Sequence, residues 1–208
     1  MPTYESFHDR AGNEMTFVEI VDLCKRSYTI QPSDREVDIA GTMMPISSRE
    51  ISGGFAAYKI DKPNSWHAIV FRGSDDWRDW VLNNVPGAIS PIPPPQYGAG
   101  RHYSGRFDKG CVLVGHSLGG GIASYAAAQH GQHAATIFPA PINPAWLGLP
   151  LPPWPAKGTT IQNYVCSGEV LTVADALSPH LRRYGRDVWI QSNGGSPIAK
   201  HGLDEIRL

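Results

Sequence analysis

The chain has 208 residues, 41 % hydrophobic and 18 % charged, which suits one compact domain and argues against a disordered chain. Its formal net charge is −1, so bulk electrostatics favour neither nucleic acid nor an anionic membrane face. The 3 cysteines, Cys24, Cys111 and Cys166, lack C-x-x-C spacing, which argues against a disulfide scaffold and a zinc site.

The opening residues M-P-T-Y-E-S-F-H-D-R lack a basic segment followed by an apolar run, so no secretory signal is expected. No apolar stretch approaches the roughly 20 residues that span a bilayer. The expected location is the cytoplasm, or export without a signal peptide. Apolar residues at Phe17, Ile20, Val21 and Cys24 predict an amphipathic helix over Thr16 to Ser27. Gln31 to Glu50 reads as a polar connection, so residues 1–50 form an N-terminal helix and extension. G-F-A-A-Y-K-I (Gly54 to Ile60) and H-A-I-V-F (His67 to Phe71) read as a hairpin around Lys62-Pro63-Asn64-Ser65. Asp75 to Val85 predicts a short helix. Pro86 to Gly100 and Pro139 to Pro155 are proline-rich loops. Cys111 to Val114, Ala135 to Phe138, Thr160 to Cys166 and Val188 to Gln191 read as strands, and Ile122 to His130 as an alanine-rich helix. No internal repeat is visible. Strands alternating with helices predict an α/β sheet in one domain over 1–208.

One short motif carries chemistry. Gly115-His116-Ser117-Leu118-Gly119 matches G-x-S-x-G between an apolar strand and a helix. Such a sharp turn needs glycines where backbones meet, and it lifts the serine hydroxyl to a helix N-terminus. Ser117 is the expected nucleophile. The N–H of the following residue, Leu118, is the expected oxyanion donor.

The chain resembles the class 3 lipase family of α/β-hydrolases, in its short bacterial branch. Three blocks carry the likeness: A-I-V-F-R-G-S-D-D-W-R-D-W (Ala68 to Trp80), V-G-H-S-L-G-G-G-I-A (Val114 to Ala123) and N-Y-V-C-S-G-E-V-L-T (Asn163 to Thr172). K-H-G-L-D-E-I (Lys200 to Ile206) extends it, so the likeness runs from about Gly54 to the C-terminus. It implies an abbreviated α/β-hydrolase fold with a mostly parallel central sheet flanked by helices. It implies a serine hydrolase of lipid esters, a lipase or phospholipase A, with no cofactor and no metal. Ser74, at the end of F-R-G-S, is implied as a second oxyanion donor. Asp75 to Asn84 is similar to the family's lid helix, with Trp77 and Trp80 over the site. His116 and Trp146 join them as expected substrate contacts, with the proline loops as pocket walls.

Triad order in this fold is serine, acid, histidine. His130 and His133 lie on or just after the helix leaving the nucleophile. That leaves His201, where the family places its base, with His180 as the alternative. Glu169 and Asp175 both follow the strand at Asn163 to Cys166, and the choice between them stays open. The expected partners are a lipid or phospholipid ester and, transiently, a membrane surface. An immunity protein is expected if the chain is a secreted toxin, as some short relatives are. A small-acyl esterase or thioesterase, a peptidase, and a non-catalytic binding protein are the alternatives. One departure stands out. Gln96 to Gly110, where the family has a crossover helix, holds Gly98, Gly100 and Gly105, so a degenerate crossover or a surface loop is expected.

Overall fold

The computed structural model describes residues 4–74, 92–147, 158–177 and 181–208. The expected lid helix, Trp77, Trp80, His180 and much of both proline loops lie outside those residues. A small antiparallel ribbon, β1 (Phe7–His8) and β2 (Glu14–Met15), leads into helix α1 (Phe17–Ser27). Thr16 starts that helix with a capping box. Its hydroxyl accepts from the Glu19 N–H, and the Glu19 carboxylate accepts from the Thr16 N–H at 2.8 Å. Lys62 closes on the same carboxylate at 2.6 Å, which ties α1 to the hairpin turn.

The main sheet follows. Strands β3 (Glu36–Ile39), β4 (Thr42–Ser52), β5 (Phe55–Asp61) and β6 (His67–Phe71) pair antiparallel in sequence. Helix α2 (Pro95–Ser104) crosses to β7 (Val112–His116), which leads into α3 (Leu118–His130) and β8 (His133–Ile137). A 3-10 turn at Pro144–Leu147 precedes β9 (Ile161–Val165), α4 (Val170–Leu177) and β10 (Arg186–Trp189). From β6 to β10 every neighbouring pair is parallel. The spatial order β10-β9-β8-β7-β6-β5-β4-β3 is that of a single eight-stranded sheet. None of the described helices is long and apolar enough to cross a membrane.

Alternation along the strands divides the core in two. Val70, Val112, Val114, Ala135 and Ile137 face α1, packing with its Ile20, Leu23 and Cys24. Ile69, Phe71, Leu113 and Ala134 face the other way, toward Tyr97 and Tyr103 of α2 and Ile122 and Ala126 of α3. Burying both faces of a parallel sheet requires such apolar runs.

Two expectations give way here. The polar connection of Gln31 to Glu50 is largely sheet, because Met44 and Ile46 alternate inward while Met43, Pro45 and Ser47 face out. The short alternation is diluted by polar residues and by a register shift between Ile46 and Ser48. The crossover is a helix after all. Pro95 opens α2 at a position where its missing N–H costs nothing. Gly100 lowers helix propensity, but a Cβ there would lie 2.2 Å from Ile122 Cγ2. The glycine lets α2 press onto α3, and packing outweighs propensity.

A buried polar network secures the C-terminal strands. Thr136 donates to the Asn163 side-chain oxygen at 2.8 Å, and the Asn163 amide donates to Tyr184 O and to Asp187. Arg183 then spans Asp187 and Asp175.

Candidate active site

The wholly buried strand β7 ends one residue before Ser117, and α3 begins one residue after it. Ser117 has φ 58° and ψ −125°, a conformation that costs a non-glycine residue about 1–3 kcal/mol. The surroundings hold it there. Its N–H donates to Ile137 O at 3.1 Å, and its carbonyl accepts from Ala140 N (2.9 Å) and Gly121 N (3.0 Å). The Ser117 hydroxyl is buried and has no hydrogen-bond partner among the described residues. Gly115 and Gly119 are steric necessities. A Cβ on Gly115 would lie 2.3 Å from the Gly119 carbonyl group, and one on Gly119 would lie 2.2 Å from Phe71 O. The second contact presses the end of β6 against the first turn of α3. Leu118 begins that turn, and Ser74 follows the end of β6 by a few residues.

The structure brings Glu169 and His201 together. Glu169 follows β9 and starts α4, where its carboxylate accepts from the N–H groups of Leu171 (2.8 Å) and Thr172 (2.9 Å). The Thr172 hydroxyl donates to the same carboxylate at 2.9 Å. His201 closes a 3-10 turn, Ala199–His201, beyond β10. Its Nδ1 lies 2.5 Å from Glu169 Oε1. An ionised carboxylate only accepts, so Nδ1 carries the proton and Nε2 is the basic nitrogen. The imidazole sits beside His116 and Phe138, with ring centroids at 4.7 and 5.8 Å. Those two residues adjoin Ser117 and its acceptor Ile137. Ser117, Glu169 and His201 are all fully buried.

Asp175 does not reach His201. It accepts from the Arg183 N–H at 3.0 Å and faces the Arg183 guanidinium at 3.5 Å. Burial pushes its carboxyl above the usual range, with Arg183 opposing. His116 is also placed differently from expectation. It is buried, with Nδ1 3.0 Å from the Tyr28 hydroxyl and Nε2 2.9 Å from His201 O, so both ring nitrogens are engaged within the protein. Burial, reinforced by the neighbouring His201, holds its protonation well below the ordinary value and keeps it neutral. Trp146 packs in the core against Tyr97, centroids 4.9 Å apart, and its carbonyl accepts from Tyr125. Sequence reasoning missed Tyr28 and Thr172. Thr172 stood in the G-E-V-L-T block, three residues after Glu169, the spacing at which a helix-start side chain meets the next turn. Tyr28 had no local signal.

A mostly parallel sheet flanked by helices, with a serine on its strand-to-helix turn, defines the α/β-hydrolase fold. Within that class the chain belongs to the phospholipase-like family of Tle-like phospholipase domains, whose model matches residues 45–195. That match includes Ser117 and Glu169 and ends before His201. The extracellular phospholipase A1 of Serratia liquefaciens is 36 % identical over an alignment covering 78 % of this chain and 57 % of the relative. The chain therefore spans little more than half the length of that relative. Among solved structures, the Rhizomucor miehei lipase propeptide complex superposes with a TM-score of 0.61 at 16 % identity, covering 89 % of this chain and 74 % of the other. A triacylglycerol lipase whose catalytic centre is formed by a serine protease triad superposes with a TM-score of 0.60 at 17 % identity, covering 85 % and 78 %. Identities this low speak to the fold alone.

Proposed function

We propose that the protein is a serine hydrolase of lipid carboxylic esters, acting as a phospholipase A, with Ser117, His201 and Glu169 as its triad. The 2.5 Å contact between Glu169 and His201, set beside the strained turn of Ser117, carries this reading. Glu169 holds the Nδ1–H tautomer of His201 and stabilises the imidazolium that forms. His201 Nε2 takes the proton from Ser117 Oγ as that oxygen attacks the acyl carbonyl. The N–H groups of Leu118 and Ser74 hold the oxyanion. The imidazolium returns its proton to the leaving alcohol, and an acyl-enzyme remains. Water, deprotonated by His201, then releases the fatty acid and regenerates the serine.

Three observations support this reading beside the geometry: the family match, the Serratia relative and the full burial of Ser117. Its substrate class implies transient contact with a membrane surface, where phospholipids reside. An immunity partner belongs to this reading only if the protein is delivered into competitors.

A fluorophosphonate probe should label the wild type and fail to label Ser117→Ala. Failure to label folded wild-type protein would exclude the enzyme reading and leave a binding protein. Fatty-acid release from phosphatidylcholine vesicles should exceed turnover of short-chain thioesters and of triacylglycerol emulsions. The opposite ranking would move the substrate class.

A further inference from the structure

We propose that Tyr28 and His116 are positioning residues, a two-membered brace that sets His201 and the Gly73-Ser74 turn at fixed spacing beside Ser117. The proposal rests on the roles given above to Ser117 and His201. A backbone carbonyl only accepts hydrogen bonds, so the 2.9 Å contact with His201 O makes Nε2 of His116 the protonated nitrogen. Nδ1 is then the acceptor, and the Tyr28 hydroxyl donates to it at 3.0 Å. The direction of the chain is thereby set: Tyr28 to His116 to the main chain of His201. Burial keeps His116 neutral, as this polarity requires.

Each end of the brace is anchored. Tyr28 closes α1, with its N–H on Lys25 O, and α1 is packed onto the sheet through Ile20, Leu23 and Cys24. His116 ends β7, the central strand that delivers Ser117. Glu169 fixes the imidazole of His201, while His116 fixes the backbone from which that imidazole projects. The same pair reaches the other side of the site. A Cβ on Gly73 would lie 2.2 Å from the Tyr28 hydroxyl oxygen and 2.8 Å from His116 O. Tyr28 and His116 thus pack directly on the backbone immediately before Ser74. Nucleophile, base and oxyanion turn come from distant parts of the chain, and this brace touches the supports of all three.

Misplacement of reacting groups by about 1 Å costs on the order of 10²-fold in rate. His116→Leu, which keeps bulk and removes both hydrogen bonds, should therefore lower kcat on a soluble p-nitrophenyl ester by roughly 10–100-fold. KM should stay within about threefold, because a positioning residue does not touch substrate. In His116→Gln the amide can still donate to His201 O, and kcat should recover to within about threefold of wild type. Tyr28→Phe removes one oxygen and should cost roughly 3–10-fold in kcat. Since the hydrogen bond of Tyr28 ends on His116, the loss in the double variant should fall well short of the product of the two single losses.

A rise in KM with kcat retained would overturn the proposal and make His116 a substrate contact. So would losses that multiply in the double variant, or a glutamine no better than leucine. If His116→Leu does not fold, Tyr28→Phe decides alone: wild-type kcat in a folded Tyr28→Phe protein overturns the brace. Ser117→Ala separates the two levels. Probe labelling that survives in Ser117→Ala would refute the site itself, whereas labelling lost there with full kcat in His116→Leu would refute only the brace.

Discussion

At the scale of single residues, two carboxylates in similar sequence settings have different tasks. Glu169 receives two backbone N–H groups, a hydroxyl and an imidazole; Asp175 receives an arginine. Glu169→Gln keeps the shape but cannot favour the Nδ1–H tautomer as the carboxylate does. Its kcat should fall by roughly 10³–10⁴-fold. Asp175→Asn should leave kcat near wild type and lower stability by about 1 kcal/mol, read by urea denaturation. A crippled Asp175→Asn beside an active Glu169→Gln would reverse the assignment. His116 carries a pH signature as well. Unfolded, it titrates near 6.5; folded, it protonates only well below that. As pH falls through 6.5 the unfolded chain takes a proton that the folded one refuses, so this stability is present above 6.5 and lost on acidification. Wild type should lose up to about 1.4 kcal/mol more per pH unit than His116→Gln in that window. Parallel slopes in chemical denaturation series from pH 7 to 5 would contradict this.

At the scale of elements, the strand-to-helix turn at Ser117 was legible because its signals are local. Glycine, serine and glycine stand between an apolar strand and an alanine-rich helix within a few residues. The helix α2 was illegible for the opposite reason. Gly98 and Gly100 count against a helix locally, and only the contact of Gly100 with Ile122 shows why one is placed there. Gly100→Ala tests that account. Better propensity should contribute about 1 kcal/mol, and overpacking should cost about 1–3 kcal/mol, so the variant should be less stable. In an Ile122→Ala background the same change should be neutral or stabilising. Equal effects in both backgrounds would mean that the two helices do not meet there. The strands β3 and β4 were missed because Pro45 and polar residues mask a brief alternation, and the pairing of β4 with β5 on one side and with the edge strand β3 on the other supplies what the pattern lacks.

At the scale of the whole molecule, the N-terminal segment belongs to the core. The family match begins at residue 45, yet α1 covers one sheet face and Tyr28 reaches the site. Glu5 O accepts from Tyr164, and Arg10 donates to Gly131 O at the end of α3. A chain lacking residues 1–44 should therefore lose cooperative unfolding in circular dichroism and all probe labelling. A truncated protein that melts cooperatively and still labels would show that the matched segment stands alone.

By itself the sequence determined the fold class, the position of the serine and the narrow set of acids and histidines from which a triad could be drawn. Periodicity and steric demands act over a few residues, and a sequence displays them directly. The tertiary structure alone decided that Glu169 rather than Asp175 meets His201, that His116 turns inward to Tyr28 and His201, and that a glycine-bearing segment forms the crossover helix. Those outcomes depend on which surfaces meet across the sheet. Contacts between residues 32 and 88 positions apart leave no pattern along the chain that joins them.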